Sequence, residues 1–257
     1  MVNAAAREHE AILRAKGVVN RFGSQLVHDH VDLDVRRGEV LGIAGGSGSG
    51  KTVLLRTLAG LRRPDAGEVT LEGEPIGDID PDRKAELIGV LFQGGALFSS
   101  LSVAQNVLLP LREHTDLPVD EQQKVAAIKL ALAGLEGEAA LKFPNELSGG
   151  MVKRAALARA LALDPKILFL DEPTSDLDAL TAAGIDALIG QLNDGLGITV
   201  VVVTHDLNTL IDVCHRVAVI AGHKLVVGTI DELSKSDEPW IRDLLHSPRA
   251  KAALQAR

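Results

Sequence analysis

Residues 45–52, with the sequence GGSGSGKT, constrain this chain more strongly than any other segment. They follow an apolar run at residues 39–44 and precede a helix predicted over residues 51–59. Glycines allow successive backbone N–H groups to turn toward one anion, and the start of a helix adds a partial positive charge. In this motif the lysine, Lys51, reaches the terminal phosphates of a nucleotide, and the hydroxyl of Thr52 binds Mg²⁺. The segment therefore predicts a phosphate-binding loop made of Gly45, Gly46, Ser47, Gly48, Ser49, Gly50, Lys51 and Thr52.

A second chemical signal follows the apolar run at residues 167–170, where the chain continues with Asp171 and Glu172. A buried strand that ends in two carboxylates can place one beside Mg²⁺ and the other beside the terminal phosphate. We expect Asp171 to hold the metal and Glu172 to orient or deprotonate an attacking water. An exposed acidic pair would look the same, so this interpretation depends on the phosphate-binding loop.

Short apolar runs separated by turn residues predict the secondary structure of the remaining chain. Residues 96–163 lack β-branched runs and are predicted to be helical, and residues 1–12 show no strand pattern. Strands that alternate with helices predict an α/β fold with a mostly parallel sheet flanked by helices, interrupted by a helical insertion. The predicted strands are residues 31–35, 39–44, 68–71 with Ile76, 87–92, 167–170, 200–203 and a closing hairpin at 216–221 and 224–227.

The composition narrows the class of protein. The 257 residues carry 27 Lys or Arg against 35 Asp or Glu, and this net charge of −8 weakens any sequence-independent grip on nucleic acid. The apolar runs are much shorter than the roughly 18 to 20 residues of a membrane helix. The sequence shows no cationic, apolar leader before a small-residue cleavage site, so we do not expect secretion. The single cysteine, Cys214, cannot form an internal disulfide and is typical of a protein in a reducing cytosol.

Residues 147–151, LSGGM, precede a helix predicted over residues 152–163, with Ser148 in position to cap it. Together with the phosphate-binding loop and the acidic pair, this segment makes the chain resemble the ATP-binding subunits of ABC transporters. The resemblance implies a P-loop NTPase fold with an antiparallel β subdomain. It also implies that two ATP molecules are buried between two head-to-tail copies. Lys51, Asp171 and Glu172 would act on the ATP of their own copy, and Ser148, Gly149 and Gly150 on that of the other. Met151 occupies the position where the family usually has glutamine, so any hydrogen bond that a glutamine side chain makes from this position is lost here.

The same resemblance assigns residues in the rest of the chain. Gln93 corresponds to a Mg²⁺ ligand that also senses the membrane partner, and His205 to a histidine that contacts the γ-phosphate. Residues 175–178, SDLD, resemble a loop that is usually SALD, so Asp176 is a departure and Asp178 the matching acid. Phe22 is the aromatic residue placed to stack on adenine. The implied cofactors are ATP and Mg²⁺, with Lys51, Glu172 and His205 catalytic and Thr52, Gln93 and Asp171 at the metal.

We expect the whole chain, residues 1–257, to form a single ABC ATPase domain. Its nucleotide-binding core would comprise residues 13–93 and 164–233, the helical subdomain residues 94–163, and a C-terminal extension residues 234–257.

Four segments most closely resemble the ATPases of Mla-type phospholipid transport systems: residues 92–107, 151–154, 239–242 and 246–249. That resemblance implies a homodimer at the cytoplasmic face of a bacterial inner membrane. Its partners would be an MlaE-like permease, an MlaD-like lipid-binding protein with a membrane anchor, and an MlaB-like STAS-domain regulator, but no nucleic acid. Transport of another hydrophobic cargo is the first alternative, and a soluble ABC ATPase acting on nucleic acid or ribosomes is the second. A P-loop GTPase would need an NKxD-type loop, which the sequence lacks.

Overall fold

The computed structural model describes residues 10–135, 137–245, 247 and 250, which fall into two compact units. The first unit contains the chain up to Ile79 and again from Asn193, and the second contains Asp80–Leu192. The first unit holds β1 (Ala11–Phe22), β2 (Gln25–Arg36), β3 (Val40–Gly45), α1 (Lys51–Leu58), β4 (Ala66–Leu71), β5 (Glu74–Pro75), β8 (Thr199–Val203), β9 (Arg216–Ala221), β10 (Lys224–Gly228), α7 (Ile230–Leu233) and α8 (Pro239–Leu245). The second holds α2 (Pro81–Leu87), β6 (Ile88–Leu91), α3 (Val103–His114), α4 (Val119–Leu132), α5 (Gly149–Ala160), β7 (Ile167–Asp171) and most of α6 (Ala179–Leu196).

The strands of the first unit form two arrangements. An antiparallel sheet has the order β2-β1-β4-β5, and a second group has the order β10-β9-β3-β8. In that group β3 is parallel to both β8 and β9, while β10 closes the edge as an antiparallel hairpin with β9. Every residue of β3 and β8 is buried, as expected of parallel strands covered on both faces. The end of β3, where the predicted loop begins, is thereby fixed from both sides.

The second unit pairs β6 with β7 in parallel and packs helices around a separate apolar core. That core contains Val107, Leu111, Leu130 and Ala158 from α3, α4 and α5. Buried Asn106 ties the preceding loop to α3, because its side-chain amide accepts from Phe98 N and donates to the carbonyls of Phe98, Leu101 and Ser102. The helical region is therefore a packed body and not a set of surface turns.

The predicted fold class is confirmed: the chain is α/β, with parallel strands, an antiparallel sheet and a helical region. The helix after the loop and the closing hairpin are where the sequence predicts them. The strand predicted around Ile76 is wrong, because β5 ends at Pro75. None of the helices in the described part of the chain combines the length and hydropathy that a membrane span needs.

The prediction that residues 1–12 contain no strand is wrong for its last two residues, because β1 begins at Ala11. The first nine residues of that range lie outside the described part of the chain, as do residues 246, 248 and 249 of the segment that resembles Mla-type ATPases. Residues 251–257 of the predicted extension also lie outside it. The boundaries predicted for core, helical subdomain and extension stay a prediction.

Gly89 and Gly190 provide a matched test of packing in this fold. A Cβ at Gly89 in β6 would overlap the backbone oxygen of Ala160 and lie 2.6 Å from Leu168 Cδ2, whereas one at Gly190 in α6 would meet no atom within 4 Å. We expect Gly89→Ala to lower the free energy of unfolding by about 1–3 kcal/mol through overpacking. Gly190→Ala should raise it by about 0.5–1 kcal/mol, because alanine loses less backbone entropy in a helix. Urea unfolding of both variants measures the difference, and equal effects would contradict it.

Candidate functional site

The predicted phosphate-binding loop lies in the first unit, between β3 and α1. Gly50 precedes α1 with a φ of +94°, in the left-handed region that favours glycine. Val27 and His28 also pack so closely against it that a Cβ would overlap them. No side chain of the described residues caps the N-terminus of α1. An uncapped helix start that follows a glycine-rich turn is a favourable site for an anion.

The donors of this loop fit a chain of phosphates. Lys51 Nζ reaches back along the loop and donates to the carbonyls of Gly45 and Gly46, at 2.9 and 3.1 Å. The hydroxyl oxygen of Ser49 is buried and has no hydrogen-bond partner among the described residues. A Cβ at Gly45 would lie 2.7 Å from that oxygen, so the loop leaves no room for a larger residue there. An ammonium group and an unpartnered hydroxyl on one tight loop suit an anionic ligand.

Phe22 and His205 also belong to the first unit. Phe22 ends β1 with 50% of its surface exposed, and the guanidinium carbon of Arg62 lies 4.3 Å from its ring centroid. This distance is typical of a cation–π contact, which holds the ring in place while half of it stays accessible. His205 is exposed just beyond the end of β8, after the buried Thr204. The roles of both residues stay predictions.

The sequence did not assign Trp240 to this site. Its indole Nε1 lies 3.6 Å from the position that a Cβ would take at Gly46, so α8 brings the one tryptophan beside the phosphate-binding loop. Local sequence patterns carry no signal for such a contact, because the two residues lie far apart in the chain.

A series of buried hydrogen bonds from His28 through Asn20 to Thr57 lies next to the phosphate-binding loop. His28 on β2 is fully buried, and its Nδ1 lies 3.0 Å from the side-chain nitrogen of Asn20, whose oxygen faces Thr57 Oγ1 in α1 at 3.2 Å. The amide nitrogen can only donate, so Nδ1 accepts and Nε2 carries the proton of the neutral ring. Nε2 has no partner among the described residues and points toward Gly50. Burial lowers the pKa of His28 to about 4, and the charge of His223 lowers it further in the same direction. The loop therefore rests on a neutral imidazole.

The predicted acidic pair lies in the second unit. Asp171 is the last residue of β7 and only 2% exposed, whereas Glu172 is partly exposed and has a φ of +50°. The Glu172 carbonyl accepts hydrogen bonds from Lys153 Nζ and Ser175 Oγ, both at 2.9 Å. A non-glycine residue in this conformation needs such support from its surroundings. Lys153 is a second residue that the sequence did not assign to the site.

The segment that resembles the family signature begins α5. Ser148 caps the helix, as predicted, because its Oγ accepts from Met151 N at 3.3 Å. A Cβ at Gly150 would overlap Thr181 Cγ2, and one at Gly149 would lie 3.2 Å from Leu177 Cδ2. The two glycines therefore let α5 approach the start of α6. Met151 packs against the helical core, which explains an apolar residue where the family usually has glutamine.

Gln93 and Asp178 complete the predicted residues of the second unit. Gln93 is exposed, two residues after the end of β6. Asp178 accepts hydrogen bonds from Leu180 N, Thr181 N and Thr181 Oγ1, at 3.1, 3.0 and 2.6 Å. The bonds from Thr181 lower the pKa of Asp178. These hydrogen bonds hold the side chain of Asp178 at the start of α6 and favour its ionised form. Its role toward a second copy stays a prediction.

Residues 28–175, more than half of the length of the chain, match the ABC transporter family. The chain belongs to this family. The resemblance inferred from the sequence is confirmed, and so is the expected fold.

Curated relatives within the ABC transporter family match most of the chain. It is 38% identical to the intermembrane phospholipid transport system ATP-binding protein MlaF of Haemophilus influenzae, over 90% of this chain and 88% of that protein. The probable ribonucleotide transport ATP-binding protein mkl of Mycobacterium leprae is 41% identical over 92% of this chain and 69% of that protein. Among solved structures, the dimeric ATP-binding cassette MJ0796 bound to ADP and Pi superposes with a TM-score of 0.77, at 34% identity over 84% of this chain and 98% of that one.

The buried imidazole predicts an acid-dependent loss of stability. Because the pKa of His28 falls from 6.5 to about 4 on folding, the unfolded chain binds more protons between these values. The contribution of His28 to the free energy of unfolding is fully present above pH 6.5 and is lost as the pH decreases toward 4. Between pH 7.5 and pH 5 we expect this group to cost about 2 kcal/mol of the free energy of unfolding.

The variant His28→Asn keeps an acceptor for Asn20 and should lose this part of the pH dependence. The matched control His30→Asn replaces an exposed histidine of the same strand, in a left-handed conformation that asparagine adopts readily. Urea unfolding at the two pH values measures both slopes. An unchanged slope for His28→Asn would contradict the assignment.

Proposed function

We propose that this chain binds and hydrolyses ATP as the nucleotide-binding subunit of an ABC transporter that moves phospholipid between the inner and outer membranes. Its similarity to MlaF proteins from Haemophilus influenzae and Escherichia coli, at 38% and 40% identity, supports the cargo. The observation that carries the enzymatic part is the phosphate-binding loop, whose Ser49 hydroxyl has no partner among the described residues, in a chain where β7 ends at Asp171 and Glu172 follows.

The residues divide the work of hydrolysis by their chemistry. Phe22 stacks on adenine, and the loop N–H groups with Lys51 bind the phosphates. Thr52, Gln93 and Asp171 supply oxygen ligands of the kind that Mg²⁺ prefers, and a bound Mg²⁺ would neutralise phosphate charge. Glu172 orients the attacking water and accepts its proton, and His205 contacts the γ-phosphate. Catalysis in such a site is mostly positioning and charge neutralisation.

A second copy of the chain completes each nucleotide site in this proposal. Ser148 and Gly149 are exposed at the start of α5. Leu180, two residues after Asp178, has 85% of its surface exposed. The solved cassette MJ0796 is dimeric, which agrees with this arrangement. Ser148, Gly149, Gly150 and Asp178 would thus face the ATP held by the other copy.

An apolar surface of the second unit suits a membrane permease. Phe98, Leu141 and Phe143 are 53%, 76% and 43% exposed. Leu141 and Phe143 line a surface groove of about 750 Å³ together with Ser99, Glu138, Lys142, Asn145 and Glu146. An MlaE-like permease bound there would place the chain at the cytoplasmic face of a bacterial inner membrane. MlaD-like and MlaB-like proteins would complete the assembly.

The mkl relative supports a second candidate, transport of a different cargo, because its name describes probable ribonucleotide transport. Purification of the full chain from detergent-solubilised membranes distinguishes the two. Phospholipid transport predicts recovery with a multispanning permease and bound phospholipid. Recovery with a permease that carries no phospholipid would favour the other cargo. Recovery with nucleic acid alone would contradict both.

Glu172→Gln tests the role of the second carboxylate. The amide cannot accept a proton, so we expect ATP turnover to fall by about 100-fold or more while ATP binding persists. Phosphate release and calorimetric titration measure the two effects. The control Glu113→Gln changes an exposed acid of α3 and should leave turnover intact. Normal turnover in Glu172→Gln would refute the assignment.

Lys51→Ala tests the phosphate-binding loop itself. Loss of a charge-assisted contact to phosphate should weaken ATP affinity by roughly tenfold or more. The exposed Lys16 on β1 provides the control, Lys16→Ala, which should bind ATP normally. An ATP titration that gives the same affinity for both variants would count against the loop as the phosphate site.

A further inference from the structure

Lys153 lies one turn into α5 and is buried, with only 5% of its surface exposed. Its ammonium donates to the Glu172 carbonyl at 2.9 Å and to Ser175 Oγ at 3.1 Å. Ser175 Oγ in turn donates to the same carbonyl, at 2.9 Å. The three groups therefore form a closed ring of hydrogen bonds that joins α5 to the turn after β7.

This ring holds the backbone of Glu172 in an unusual conformation. The φ of +50° lies in the left-handed region, which a residue with a Cβ occupies only when its surroundings hold it there. The direction of a residue's carbonyl and the direction of its side chain are linked through one Cα. Anchoring the Glu172 carbonyl thus limits the directions in which its carboxylate can point.

The electrostatic surroundings of Lys153 fit this task. Burial lowers the pKa of Lys153, and the carboxylates of Asp176, Glu172 and Asp171 oppose that effect. Asp176 also has a left-handed backbone, with a φ of +64°. It is the residue that departs from the usual SALD pattern, and it adds a negative charge close to a buried cation. The ammonium is thus the positive centre of a cluster of acids.

We propose that Lys153 is a positioning residue for ATP hydrolysis, which fixes the backbone of Glu172 so that its carboxylate meets the attacking water. This inference rests on the proposed function, in which Glu172 acts on that water. In this role Lys153 acts through the Glu172 backbone and not by its own contact with the nucleotide or the water. Its removal should therefore slow hydrolysis and leave nucleotide affinity in place, a split that simple loss of stability does not produce.

The test compares Lys153→Met and Lys153→Arg in the purified full chain. A displaced catalytic group can cost a factor of 100, so we expect kcat of Lys153→Met to fall by about 10-fold to 100-fold. The ATP dissociation constant should stay within about threefold of the original, because ground-state binding is untouched. Lys153→Arg keeps a cationic donor and should recover most of the lost kcat.

Lys129→Met is the matched control. Lys129 is also 5% exposed in the second unit, and its ammonium pairs with Asp164, another acidic residue with a left-handed backbone at φ +52°. It does not contact the turn after β7 through this pair, so its loss should leave kcat per folded molecule unchanged. Should Lys153→Met fail to fold, Ser175→Ala breaks the same ring while keeping the cation, and kcat should then fall by about threefold or more.

Three results would overturn the inference: an unchanged kcat in Lys153→Met or its substitute, a parallel loss in Lys129→Met, or no recovery in Lys153→Arg. Glu172→Gln, run in the same assays, separates this failure from that of the proposed function. If Glu172→Gln keeps normal turnover, the role of Glu172 fails whatever Lys153 does. If Glu172→Gln is inactive while Lys153→Met turns over normally, only the positioning role fails.

Discussion

Hydrogen bonds from three cations of α5, one buried and two partly buried, to backbone carbonyls determine how the second unit holds its loops. Lys153 binds the Glu172 carbonyl, Arg154 binds those of Ala133 and Gly184, and Arg159 binds those of Gly95 and Ala96. A cation withdrawn from water is costly unless acceptors surround it, so these carbonyls favour the observed geometry of each loop, most strongly at the buried Lys153. The helix that begins with the signature segment therefore also holds the turn after Gln93 and the turn at Glu172.

Those parts of the chain that depend on local structure could be predicted from the sequence. The loop at residues 45–52 needs only a strand, glycines and a helix start, and all three are contiguous. The cap at Ser148 is equally local. β1 could not be predicted because its alternation is interrupted: the register with β2 shifts between Ala15 and Val18, where Gly17 has a φ of +60° and donates to Asp32. Such a bulge reverses which side chains face the core.

Residues that act through tertiary contacts gave no signal of their role. Lys153 is one basic residue among several in α5, and only the folded turn after β7 shows which carbonyl it binds. The two departures from the family pattern become intelligible in the same way. Met151 packs against the helical core, and Asp176 adopts a left-handed backbone near the buried ammonium. Asp tolerates that backbone better than most residues, which is a physical reason for an acid at this position.

His28 and Lys153 are both buried basic residues, but the charges around them differ in sign. Lys153 has three carboxylates nearby that favour its charged form, whereas the charge near His28 is that of His223, which disfavours a second positive charge. Burial without an acid keeps the imidazole neutral, so the support beneath the phosphate-binding loop adds no charge of its own. The positive potential of the loop then comes from Lys51 and the start of α1, the two features that lie on the loop itself. Because the supporting imidazole stays neutral, that potential depends on the groups of the loop itself.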